Sequence, residues 1–264
     1  MAAGDASLIT LGDALTAGLP VQFVYVNLHL HYAGVNWALA GGKGRSMTRK
    51  SLAPRQARSR ESEQKLLKAA MEVLGRYGLD ATTIPRIAEH AGLTPGAVYR
   101  RFPDKNALLE TVILTILENQ DVHIRRVLTP AMTREHTLPE LIEQIISATL
   151  ASYRANSGLL MGLRQFVQGS DHLAFKNKAV KLEKQSYTYV LDVLLAYRDD
   201  IPHPDPSLAL SFAFATLTGT LIEFFLIDEN MKNWRALIPD DDKVLLRELK
   251  RSFLGYLMYQ PQEA

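Results

Sequence analysis

The sequence predicts an all-α protein, and three observations carry that expectation. From Ser59 onward apolar residues recur at spacings of three and four, the period of an amphipathic helix. Glycines, prolines and hydroxyl or carboxyl caps punctuate that pattern at short intervals, and no strand-like alternation follows residue 47. The 264 residues are 47% hydrophobic and 22% charged, a balance that supports a packed core and excludes wholesale disorder. There is no cysteine, which removes disulfide frameworks, thiolate metal centres, cysteine nucleophiles and thiol redox sensing together.

Residues 1–46 differ from the rest. Val21 to Leu30 alternates like a strand, no basic region precedes it as a secretory signal would require, and Asn27, His29 and His31 interrupt it too often for a membrane span. Gly41-Gly42-Lys43-Gly44 lacks the spacing of a phosphate loop, and the His29/His31 pair has no third ligand, so no metal site is expected. This stretch is expected to be poorly structured or a dispensable extension. Residues 43–60 then carry seven Lys and Arg and no acid, while residues 106–264 carry sixteen bases against twenty acids. The net charge of +2 hides this division, which points to a polyanion met by one part of the chain. The basic stretch reads either as a solubilising tail or as an arm, residues 47–59, along phosphates or in a minor groove.

The elements follow in order. Leu66, Leu67, Ala70, Val73, Leu74 and Tyr77 form one stripe, predicting a helix over 62–78 that Gly78 ends. Thr83 caps a short helix over 83–91, with Pro85 in its first turn and Gly92 closing it. Thr94 caps a third over 94–102, begun by Pro95 and stopped by Pro103. Asp104 caps a fourth that runs to about 127 on Leu108, Leu109, Val112, Ile113, Ile116 and Leu117. Beyond Pro130, a stripe from Leu141 to Tyr153 is expected to end at Asn156-Ser157-Gly158. Further helices are expected over 159–167, 173–197, 207–229 and 240–259, with a hard break at Pro202 to Pro206.

Function concentrates at 83–105. Two short helices joined by the glycine turn Ala91-Gly92-Leu93 make a helix-turn-helix, whose second helix enters a major groove with its N-terminal residues. Thr94 can donate to phosphate or base, Gly96 permits close backbone approach, and Ala97 is small enough for a thymine methyl. Tyr99, Arg100, Arg101 and Lys105 supply phosphate donors, Lys105 at a helix N-terminus that itself attracts anions. Phe102 reads as core, and Tyr99 is divided between packing and phosphate.

The run 82–109, TTIPRIAEHAGLTPGAVYRRFPDKNALL, resembles the DNA-binding region of the tetracycline-repressor (TetR) family of bacterial transcriptional regulators. Thr83, Ile87, Ala88, Ala91, Gly92, Thr94, Gly96, Val98, Tyr99, Phe102, Lys105 and Leu108 carry the likeness. The resemblance implies an N-terminal three-helix DNA-binding domain, here 60–106, and a C-terminal helical ligand-binding and dimerisation domain, here 107–264. It implies that Thr83 contacts the backbone, that Thr94, Pro95, Gly96 and Ala97 face the groove, and that Tyr99 and Lys105 hold phosphate. Pro85 stands where a polar base-reader is usual, so Arg86 is expected to read instead; Arg100 and Arg101 shift that edge toward charge.

For the C-terminal half the expectations are coarser. Residues 208–227 contain one charge, Glu223, but the hydroxyl residues within them and the acids Asp228 and Glu229 argue against a membrane and for burial within and between protomers. Helices near 207–229 and 240–259 are therefore expected to form a homodimer that spaces two recognition helices about 34 Å apart on a palindromic operator. Tyr153, Arg164, Gln165, Gln168, Tyr187 and Glu223 are candidates to line a pocket for a small hydrophobic effector, whose binding would release the operator. No cofactor is implied, and the setting expected is cytoplasmic. The alternatives are a DNA-binding regulator governed by a protein partner or by no ligand, and an enzyme. For the enzyme no dinucleotide loop, zinc-protease His pair or serine elbow is present.

Overall fold

A computed structural model describes residues 54–226 and 239–260, and the extension 1–46 and most of the basic arm lie outside those bounds. Among the described residues every regular element is helical: α1 Pro54–Ala81, α2 Ile84–His90, α3 Pro95–Tyr99, α4 Lys105–Val127, α5 Met132–Glu135, α6 Leu138–Gly169, α7 Leu173–Leu194, α8 Pro206–Phe225 and α9 Asp242–Leu257. A 3-10 turn, Leu195–Asp200, extends α7.

Local chemistry sets most boundaries. Thr83, Thr94, Asp104 and Asp205 each accept a backbone N–H of the following first turn, satisfying donors that the helix cannot. Thr137 and Glu140 form a reciprocal capping box at the start of α6. Three expectations need correction. Gly78 has the expected positive φ, 78°, but ψ of 175° makes it a kink after which α1 runs one more turn to Ala81. The third helix is shorter than 94–102, because Arg100 and Arg101 already lie in the turn before Pro103. Asn156-Ser157-Gly158 does not end a helix: α6 continues through a bend at Asn156 (φ −129°, ψ 18°), whose side-chain amide donates to the Ser152 carbonyl at 3.1 Å.

The reason for that bend is packing. α1 lies along the second half of α6. A methyl added at Gly158 would stand 2.3 Å from the Gly75 carbonyl oxygen, and one at Gly162 would stand 2.7 Å from Leu74 Cδ1. The glycine read as a terminator is instead where two backbones touch.

Two apolar cores result. One gathers Leu66, Leu74, Ile87, Val98, Leu108 and Ile113 with Leu163 and Phe166 of α6 and Phe175 of α7. The other gathers Ile124, Ile142, Tyr153, Leu194, Leu210 and Phe253. The boundary between them crosses the middles of α4, α6 and α7, so the core beneath the helix-turn-helix does not stop at residue 106. α4 and α7 run parallel: Glu110 meets His172, Glu118 meets Lys178, Asp121 meets Ser186 and the Arg125 guanidinium lies over the Tyr189 ring, both numbers rising together.

α8 and α9 pack on α6 and on each other. Leu245, Leu249, Phe253 and Leu257 of α9, within the 240–259 stretch expected to form the dimer, are buried in their own protomer, as are Ala209 and Ala213 of α8. Leu208, Phe212, Thr216, Gly219 and Glu223 form the exposed face of α8.

Candidate nucleic-acid interface

α2 and α3 meet at the turn Ala91–Leu93. Gly92 adopts φ 65°; its N–H donates to Glu89 and that of Leu93 to Ala88, the paired bonds that close a helix with glycine in the left-handed region. This turn needs no side chain, so it fixes the angle between the two helices by backbone geometry alone.

On the outer side, Thr83, Thr94, Pro95, Gly96, Tyr99 and Arg100 are exposed, while Arg86, Arg101 and Lys105 are half-buried. Tyr99 is 54% exposed, which decides between its two readings in favour of the surface. Thr83 Oγ1 accepts from Arg86 N at 3.4 Å and Thr94 Oγ1 from Ala97 N at 3.3 Å. Capping uses each hydroxyl as an acceptor and leaves its own proton to donate outward. A methyl at Gly96 would meet nothing within 4 Å, so the backbone here is open to close approach. α4 begins beside this face with Asp104 Oδ1 accepting from Ala107 N at 2.8 Å.

Two sequence expectations change, and a third residue gains an internal partner. Ala97 is only 7% exposed, so its methyl belongs to the interior and not to a groove. Arg86, expected as a reader, is held within the protein: Nη1 donates to the Ala81 carbonyl at 2.7 Å and the guanidinium lies 4.7 Å from the Tyr77 ring centre. Lys105 Nζ donates to the Leu79 carbonyl at 3.4 Å. With Thr82 Oγ1 donating to the Gly78 carbonyl at 2.6 Å, these side chains satisfy the end of α1, whose last carbonyls lack helical partners. Thr82 is fully buried, and its place four residues after the kink glycine Gly78 is the one trace of this role in the sequence.

The six pocket candidates do not converge. Tyr153 is buried in the C-terminal core, where desolvation pushes its phenol far up. Tyr187 donates to the Ser211 carbonyl and packs edge-on against Phe214, and burial raises its phenol too. Gln165, Gln168 and Glu223 are exposed and Arg164 is half-buried. An apolar cavity of about 180 Å³ lies instead where the far ends of α4 and α7 meet α6, against Ile124, Leu128, Leu141, Gln144 and Val190. Among the described residues no cluster of three His, Cys, Asp or Glu could hold a metal.

Helices set in a glycine turn, capped by threonines and fronted by exposed hydroxyl, phenol and guanidinium groups define a helix-turn-helix DNA-binding protein on an all-helical frame. The family model for bacterial regulatory proteins of the tetR family matches residues 66–112, from the first core leucine of α1 into α4. TtgW of Pseudomonas putida, an HTH-type transcriptional regulator, is 39% identical over 57 residues, 22% of this chain and 42% of TtgW. BetI of Vibrio atlanticus, another, is 26% identical over 178 residues, covering 66% of this chain and 86% of BetI. The match thus spans under half the length of TtgW. A regulator of Mesorhizobium loti described as TetR-family superposes with a TM-score of 0.56 at 21% identity, over 76% of this chain and 96% of that one. FadR of Bacillus subtilis, solved with stearoyl-CoA, does so at 0.52 and 19%, over 74% and 97%. Over residues 66–112 the chain thus matches the tetR family of transcriptional regulators, and its helical fold is shared with the TetR-family regulator of Mesorhizobium loti.

Proposed function

We propose that this protein is a repressor that binds a palindromic operator as a homodimer and lets go when a small hydrophobic molecule binds its C-terminal half. The observation that carries the reading is the shared exposure of Thr83, Thr94, Pro95, Gly96, Tyr99 and Arg100 around the glycine turn, with Arg101 half-buried beside them. Threonine hydroxyls and the open backbone at Gly96 meet the groove, while Tyr99, Arg100 and Arg101 meet phosphates. Lys105 keeps donors to spare beyond Leu79 and adds a phosphate contact. Arg86 shapes the face from beneath, and residues 47–59 extend the phosphate contact.

The dimer is supported by α8. It has mean hydropathy 1.6, yet only 44% of its most apolar stretch is buried within the protomer. Phe212 is 56% exposed, and a groove of about 340 Å³ runs between α8 and α9 past Thr216, Thr220, Ser252 and Tyr256. Gly219 and Gly255 have open space above them, allowing close approach of a second pair of helices.

The effector reading is supported by the apolar cavity at the far end of α4. At about 180 Å³ it is smaller than the ~300–1,000 Å³ of ordinary ligand sites. A ligand must therefore part the helices, and α4 carries that movement to Asp104 beside the DNA face. The same fold holds stearoyl-CoA in FadR of Bacillus subtilis. Acting on DNA is in keeping with a cytoplasmic setting. Selection of bound fragments from genomic DNA tests the reading: an enriched inverted repeat with half-site centres about 34 Å apart supports it, and no enriched sequence, or a single half-site, contradicts it.

A further inference from the structure

The seam between α4 and α7 hides an unusual pair. Gln120 on α4 is 7% exposed, and neither its amide nitrogen nor its amide oxygen has a hydrogen-bond partner. Glu183 on α7 is 5% exposed, and its Oε1 has none either. Because the helices run parallel, both residues fall between the same two cross-links, Glu118–Lys178 and Asp121–Ser186, so they share one level of the seam. Burial pushes the Glu183 carboxyl well above the usual range, which favours its neutral form in the closed seam. Buried polar groups are ordinarily satisfied, and leaving three such atoms unsatisfied at one level is costly.

What would satisfy them follows from the surroundings. The groups in this stretch of the seam that face inward or bridge it, Glu183, the Gln120 carbonyl, Asp121 and Ser186, are rich in acceptors. The cations alongside, Lys178 and Arg125, are 55% and 45% exposed at the side chain and pair outward with Glu118 and Asp121. One turn above Gln120 stands Ile124, and two turns above Glu183 stands Val190, on the same helix faces; both line the apolar cavity of about 180 Å³. An acidic and amide head site thus sits beneath an apolar chamber.

We propose that this seam recognises a hydrophobic amine, its ammonium held by the Glu183 carboxylate and the Gln120 carbonyl and its chain lying against Ile124 and Val190. Glu183 gives its proton to solvent as the ammonium arrives, so charge is conserved in the seam. This rests on the reading of the chain as ligand-responsive and specifies the effector's chemistry. The head group wedges α4 from α7 midway along the helix that starts at the DNA face, so binding there moves α4 against its neighbours.

Calorimetric titration of the full chain with n-octylamine, 1-octanol and octanoate tests it. The amine is expected to bind about tenfold tighter than the alcohol, as one strong charge-assisted contact allows, with octanoate weakest. Glu183→Gln, nearly the same shape, is expected to erase the amine's advantage and leave alcohol binding unchanged. Gln120→Leu is expected to weaken amine binding less. Equal binding of amine and alcohol, an undiminished amine preference in Glu183→Gln, or no binding by any of the three overturns the proposal. Operator binding is followed separately on the untreated chain: if it is intact while amine binding fails, only the seam proposal falls. If operator binding itself is missing, the repressor reading falls.

Discussion

The two halves of this protein treat their polar groups in opposite ways. Around α2 and α3 the polar side chains that set the helix ends are engaged locally. Thr83 and Thr94 cap helices, and Thr82, Arg86 and Lys105 close the end of α1. In the C-terminal half, Gln120 and Glu183 are buried with polar atoms unmet. A surface that must present groups to DNA at fixed spacing gains from being held rigid. An interior that must open for a ligand can carry a deficit that the ligand repairs. Under the proposed function the difference separates two tasks: reading in the satisfied half, switching in the unsatisfied one.

The largest expected effect breaks the joint between the halves. Gly158→Ala places a methyl 2.3 Å from the Gly75 carbonyl, which is backbone and cannot turn aside. A loss of about 3 kcal/mol is expected from such overpacking, read by calorimetry as a fall of roughly 6–12 °C in Tm for a chain of this size. A Tm within a degree of wild type would mean that α1 and α6 are not in backbone contact.

Next comes the interior deficit, through pH. The folded-state pKa of Glu183 lies above its unfolded value, so folding takes up a proton. Wild-type stability is therefore expected to decline as pH rises above about 4.3, the unfolded carboxyl value, until the folded pKa is passed. Glu183→Gln lacks that slope. Its stability advantage over wild type is expected to grow from acid toward neutral pH in urea titrations; an advantage that stays constant with pH would show that Glu183 is ionised in the fold.

A smaller effect sharpens the satisfied half. Thr94→Ala removes the α3 cap at a cost of about 1 kcal/mol and removes an outward hydroxyl donor, so Tm and operator affinity fall together. Smallest in stability is Arg100→Ala, on an exposed side chain in the turn after α3. Its Tm is expected to be unchanged, while the slope of log affinity against log salt shrinks by about 0.9, one phosphate contact, in anisotropy titrations.

The helix-turn-helix was legible in the sequence because its determinants are local. A threonine three residues before the N–H that it accepts, proline in a first turn and glycine at a left-handed position act within one turn of chain. Interior residues are specified by neighbours far away in sequence. Gly158 looks the same locally whether it ends a helix or lets another pass, and only α1 decides. Position in the motif puts Ala97 and Arg86 at the surface, yet their burial and bonds depend on how α1 ends. Polar or aromatic character on an apolar helix, the mark shared by the six pocket candidates, does not say which face turns inward. Gln120 and Glu183 did carry a signal: each sits in register with the buried stripe of its helix, Leu117 to Ile124 on α4 and Ala179 to Val190 on α7.

The central claim is that one exposed face reads DNA independently of the fold's stability. Its most direct test is fluorescence anisotropy on the selected operator with a Tyr99→Ala, Arg100→Ala double variant, run beside a thermal melt. The expected result is operator affinity at least tenfold weaker with Tm unchanged, as loss of two phosphate contacts on an already solvated face requires. Undiminished affinity in a chain that melts like wild type would contradict it.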